Sequence, residues 1–62
     1  MIVVVNGEPR EVASETTVGH LAPHQRGVAV AVNREIVPRS LWGHARLAEG
    51  DRVEILEAAQ GG

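Results

Sequence analysis

The chain has 62 residues, enough for one small domain with a thin core, because a chain of this length buries only about 60% of the surface its unfolded form exposes. It has no cysteine, which excludes disulfides, thiolate zinc sites and a cysteine nucleophile. Eight acidic residues stand against six basic ones, all six arginines spread from Arg10 to Arg52, and Trp42 is the single aromatic, whereas a nucleic-acid binder carries a basic stripe and stacking platforms.

Met1 to Val5 is a β-branched run, and Asn6-Gly7 follows it directly. Both central positions of a type I′ turn need positive φ, so this dipeptide predicts a hairpin returning through Glu8 to Ala13. Pro9 has no N–H and belongs on the side of its strand that pairing does not need. Ser14, Thr16 and Thr17 are candidate helix caps; Thr17 fits best, because it immediately precedes the apolar face formed by Val18, Leu21 and Ala22. Gly19 costs about 1 kcal/mol relative to alanine in a helix, and Pro23 removes a hydrogen bond. One or two turns are expected, kinked or ended near Pro23, with Gly27 as the stop.

Val28 to Val32 alternates valine and alanine, the pattern of a strand central in a sheet, buried on one face and closely approached on the other. Asn33-Arg34 turns it into Glu35-Ile36-Val37, which Pro38 ends. Ser40 to Gly43 suggests a single helical turn. Glu49-Gly50-Asp51 reads as a solvated tight turn, and Arg52 to Ala58 as the last strand, with Val53 and Ile55 on one face. Gln60-Gly61-Gly62 then leaves the body as a tail of small residues. A hairpin, one crossing helix and a returning strand imply a mixed sheet with the helix on one face, the crossover joining the second and third strands in the right-handed sense.

Few residues suggest chemistry. His20 and His24 have the i, i+4 spacing of paired metal ligands, yet no third ligand accompanies them and His44 lies in a loop segment, so no metal site is expected. No nucleophile–base pair, glycine elbow or phosphate-cradling loop is present. Trp42 suits either a partner anchor or a lid packed over the valines, and the small core favours the lid. The chain does not read as an enzyme. The terminal Gly61-Gly62 stands out, since at about 7% glycine such an ending arises by chance in roughly one chain in 200. Two residues without Cβ let a backbone thread a narrow channel and present its carboxylate. Termini also collect small residues for no such reason, and the tail alone leaves the two readings level.

The whole layout, ending in Gly-Gly, resembles the ubiquitin-like β-grasp fold: α+β, a mixed sheet of four to five strands, one short helix on one face, and an extended tail. The segment Ala31 to Trp42 (A-V-N-R-E-I-V-P-R-S-L-W) resembles the sulfur carrier family of bacterial thiamine biosynthesis, and Ala48 to Leu56 (A-E-G-D-R-V-E-I-L) is similar to that family's final turn and strand. Gly-Asp and the terminal Gly-Gly are shared with the small subunit of molybdopterin synthase, while Val37-Pro38-Arg39 followed by Trp42 favours the thiamine carrier. Gly19 and Pro23 depart from the family, whose members have better helix formers there.

The resemblance implies one domain over residues 1–62, with residues 58–62 as a flexible tail. It also implies a mechanism. An adenylyltransferase related to ubiquitin-activating enzymes would use ATP to adenylate the Gly62 carboxylate. A persulfide donor would supply sulfur, and the resulting Gly62 thiocarboxylate would serve thiazole synthase, with Gly61 keeping the threading segment slim. Ile55, Leu56 and Ala58, leading into the tail, are the candidate partner contacts; which of them face solvent is a period-2 question left open. No cofactor, nucleic acid or metal is expected to bind. No leader sequence and no run near the roughly 20 apolar residues of a membrane span is visible, so a soluble cytoplasmic domain without membrane attachment is expected. A non-carrier β-grasp interaction module and a ubiquitin-like modifier are the readings from other classes. The chain has no lysine to accept its own acyl group.

Overall fold

The computed structural model describes residues 1–23 and 26–57. Among them are strands β1 (Ile2–Val5), β2 (Glu8–Glu11), β3 (Val28–Val32), β4 (Glu35–Val37) and β5 (Arg52–Glu57). One α-helix, α1 (Val18–Leu21), and one 3-10 turn (Arg39–Leu41) complete the elements. The strands form one sheet in the order β2-β1-β5-β3-β4. β1 runs parallel to β5 and the other pairs are antiparallel. No helix among the described residues is long and apolar enough to cross a membrane.

Asn6 (φ 49°) and Gly7 (φ 84°) form the expected positive-φ turn between β1 and β2. Pro9 stands opposite Val4, whose N–H points the other way, to the Asp51 carbonyl at 2.9 Å. Its missing donor therefore costs no ladder bond. β2 ends at Glu11 rather than Ala13, though the Val12 amide still reaches the Met1 carbonyl at 2.8 Å.

Thr17 caps α1 as expected, but the helix is a single turn. Ala22 already has extended dihedrals (φ −81°, ψ 137°), as a residue before proline prefers. The stop is thus Ala22-Pro23, and Gly27 (φ 79°) belongs instead to the turn entering β3. α1 lies on one face of the sheet, where Val3, Val18, Val30 and Val53 are buried almost completely. Trp42 and Leu47 close this core from the loop after β4, which is pinned to the start of α1 by Val18 N–H to Ala45 O and Leu47 N–H to Thr16 O.

Two expectations about β3 are corrected. It is an interior strand, but the middle of the sheet is β5, because the parallel β1–β5 pairing brings the first and last strands together. Its alanine face is also less covered than the alternation suggested. Ala31 is buried between Ile36 and Glu54, while Ala29 is exposed, since no layer covers that side.

Candidate functional site

β5 is the element that carries the chain to its terminal glycines, and both of its neighbours hold it firmly. On one side its pairing with β3 runs from Val32↔Val53 to Val28↔Glu57, up to the last described residue. On the other side the backbone ladder with β1 is short, Val4↔Arg52 and Val5↔Val53. A side chain extends it: Asn6 Oδ1 accepts the Ile55 N–H at 2.8 Å, and Asn6 Nδ2 donates to the Ile55 carbonyl at 3.3 Å. Asn33 does the same at the strand's other end, accepting the Arg52 N–H at 3.0 Å and donating to Asp51 Oδ1 at 3.0 Å. Each hairpin turn thus contributes an asparagine that clasps the central strand.

The turn before β5 is more than the solvated loop its composition suggests. Asp51 Oδ2 accepts the Ala48 N–H at 2.8 Å, and Glu49 Oε1 accepts the Ile2 N–H at 2.9 Å. Both acids fix the entry of β5 into the sheet, a role the Glu-Gly-Asp spacing left unread.

Strand parity answers the question about the partner-contact candidates. Ile55 points to the helix side with Val53 and is half-buried against the core. Leu56 points to the opposite face and is 63% exposed. Ala58, Gly61 and Gly62 lie outside the described residues, as does His24. The structure therefore separates the candidates: Leu56 is available to a partner, and Ile55 supports the sheet.

The remaining singled-out residues are structural. Trp42 is 3% exposed and forms a lid; its Nε1 donates to the Val37 carbonyl at 2.9 Å, and the Arg39 guanidinium lies over its ring, 4.5 Å from the centroid. His20 is exposed at the third helical position, where its Nδ1 accepts the Thr17 N–H at 3.0 Å. The Thr17-x-x-His20 spacing is a histidine version of the capping box and was the missed signal. Among the described residues no group of three or more histidines or acids is placed to hold a metal ion.

A mixed five-stranded sheet with one short helix on its inner face defines the ubiquitin-like β-grasp class. Within that class the chain belongs to the ThiS family, whose model matches residues 3–62. The crystal structure of the thiamine biosynthesis protein (ThiS) from Geobacter metallireducens superposes with a TM-score of 0.81 at 30% identity, covering 100% of both chains. The sulfur carrier protein ThiS of Escherichia coli K12 is 30% identical over 66 aligned positions, again covering 100% of both. A thiazole synthase from Paramagnetospirillum magneticum is 39% identical over 66 positions; the match takes in 100% of this chain but spans only 20% of that protein.

Proposed function

We propose that this chain is the sulfur carrier of thiazole formation in thiamine biosynthesis, not itself a catalyst, with the Gly62 carboxyl as its working group. The observation that carries the reading is a family match running through residue 62, so that it includes Gly61-Gly62. The sequence relatives named as a sulfur carrier and a thiazole synthase support the same pathway.

A carboxylate resists nucleophilic attack because its charge is delocalised, so it needs a better leaving group. An adenylyltransferase supplies one: a Gly62 oxygen attacks the α-phosphorus of ATP, pyrophosphate leaves, and an acyl adenylate forms. The terminal sulfur of a donor persulfide then attacks the acyl carbon and AMP departs. A second thiol cleaves the S–S bond, forming a disulfide with the donor and releasing the Gly62 thiocarboxylate, which delivers sulfur to thiazole synthase in the cytoplasm. This chain's own part is presentation. β5, held by β1, β3 and the Asn6 clasp, anchors the tail, and Gly61 and Gly62 add no side chain to obstruct a channel.

Incubation with the adenylyltransferase, ATP and a persulfide donor is expected to yield one oxygen-to-sulfur exchange at Gly62 by intact-mass and fragment analysis. An unmodified mass, with an enzyme that loads another carrier in the same mixture, overturns the reading.

A further inference from the structure

The two hairpin turns perform one task with different chemistry. Asn6 sits at φ 49° and Asn33 at φ 51°, and each is followed by a residue at positive φ, Gly7 at 84° and Arg34 at 74°. Both asparagines are exposed, and each clasps β5 or its entry through two side-chain bonds. The second turn residue is where they differ. A left-handed φ strains any residue that has a Cβ, so glycine is the relaxed choice and arginine the strained one. Space does not decide between them, since a Cβ added at Gly7 would meet nothing within 4 Å. The backbone favours glycine at both turns, and one turn departs from that preference. Such a departure points to a role outside folding.

The chemical difference lies in the peptide nitrogen that follows each asparagine. That nitrogen can attack the side-chain Cγ of the asparagine before it. A C–N bond forms, the Cγ–Nδ2 bond breaks, and the side-chain nitrogen takes the attacking amide's proton and leaves as ammonia. The product is a five-membered cyclic imide. Water opens it at either carbonyl, giving aspartate by one route and isoaspartate by the other. No oxidant or cofactor is required. A Cβ on the residue that supplies the nitrogen crowds the closing ring, whereas glycine leaves it open. Asn6-Gly7 therefore joins the reactive side chain to the least hindered nucleophile, in an exposed turn. Asn33-Arg34 joins the same side chain to a hindered one.

We propose that Asn6 is a site of spontaneous deamidation that limits the working life of the carrier, and that Arg34 spares Asn33 the same reaction. The damage falls on β5. The backbone ladder between β1 and β5 ends at Val5↔Val53. Beyond it the β1 side holds the strand through Asn6, whose Oδ1 accepts the Ile55 N–H at 2.8 Å and whose Nδ2 donates to the Ile55 carbonyl at 3.3 Å. An aspartate there sets a carboxylate oxygen against that carbonyl, so repulsion replaces a bond. An isoaspartate goes further. Its main chain runs through Cβ and Cγ and is one atom longer, and a tight turn lengthened in this way loses the Val5↔Glu8 register. Either product weakens a support of the strand that leads to Gly62. The clasp also sets the pace: with both amide atoms bound to Ile55, cyclisation proceeds from molecules whose clasp is open, and ageing follows local opening of this turn. The effect on sulfur transfer rests on the carrier reading; the deamidation itself does not.

Peptide mapping of the folded chain during incubation at mildly alkaline pH tests the proposal. Asn6 is expected to convert to aspartate and isoaspartate roughly tenfold faster than Asn33, because glycine alone leaves the ring unhindered. Arg34→Gly is expected to raise the Asn33 rate to that of Asn6 while the chain melts at an equal or higher temperature, since the strain is relieved. The reciprocal Gly7→Arg is expected to slow Asn6 to the rate of Asn33. Aged chain, separated from fresh chain by its added negative charge, is expected to exchange the Ile55 amide faster and to load sulfur several-fold more slowly. Equal conversion of Asn6 and Asn33 in the unaltered chain, or an Asn33 that persists in Arg34→Gly, overturns the assignment of the site. Aged chain that loads at the fresh rate overturns its effect on working life. Asn6 converting first in a chain that does not load supports the site and counts against the carrier reading, so the two fail separately.

Discussion

A β-carbon added at Gly19 would lie 3.2 Å from the Trp42 carbonyl oxygen, which the Gly19 amide itself binds at 2.9 Å. By helix propensity the glycine is a defect of about 1 kcal/mol, and this is how the sequence presents it. The close approach of two backbones explains its presence: α1 docks onto the Trp42 loop through a face with no side chain. Gly19→Val is therefore expected to destabilise the domain by about 2 kcal/mol through overpacking. The check is a lower urea midpoint at unchanged m-value. Single residues were legible where their constraint is local. Thr17 as a cap and Trp42 as a lid could be read from neighbours in the chain, whereas the need for Gly19 comes from a loop more than twenty positions away. Of the residues that indicated the family, Val37 and Arg39 both meet Trp42, one through its carbonyl and the other over the ring. They identify the fold's lid, while the chemistry proposed above uses the terminal glycines.

Among the elements, both hairpins were visible in the sequence because an asparagine-led turn directly after a valine-rich run is a short-range signal. The second task of those asparagines was not visible. Asn6 bonds to Ile55 across 49 sequence positions, and Asn33 to Arg52 across 19. Asn6→Gly and Asn33→Gly keep the positive φ and remove only the clasp. Each is expected to cost about 1 kcal/mol, the net worth of an ordinary hydrogen bond. Amide exchange should rise selectively, at Ile55 for Asn6→Gly and at Arg52 for Asn33→Gly. Equal acceleration throughout the sheet would mean that the asparagines act on global stability and not on β5. The length of α1 was only half legible: Pro23 announced an end, but its effect on Ala22 shortened the helix to one turn.

Over the whole molecule, the packed core and the proposed working group fall in different parts of the chain. Among the described residues, the buried core is built from β1, α1, β3, β5 and the Trp42 loop, and Ile55 is the last residue packed against it. Deleting Gly62 is accordingly expected to leave the melting temperature unchanged and to abolish thiocarboxylate formation; a collapse of the fold would show that the terminus is structural. The β-grasp layout could be inferred from element order, but the position of β5 could not, because a parallel pairing between the two ends of a chain has no local signature. The outer face was equally hidden, since whether Leu56 or Ile55 faces solvent depends on a register set by distant strands. That the middle strand is also the last has a consequence for how the protein is made. Until residues 52–57 have emerged from the ribosome, β1 has only β2 beside it and β3 has only β4, two hairpins that are marginal alone in water. The sheet can then close only once β5 is available, so a nascent chain stalled before that point lacks the strand that joins its two hairpins.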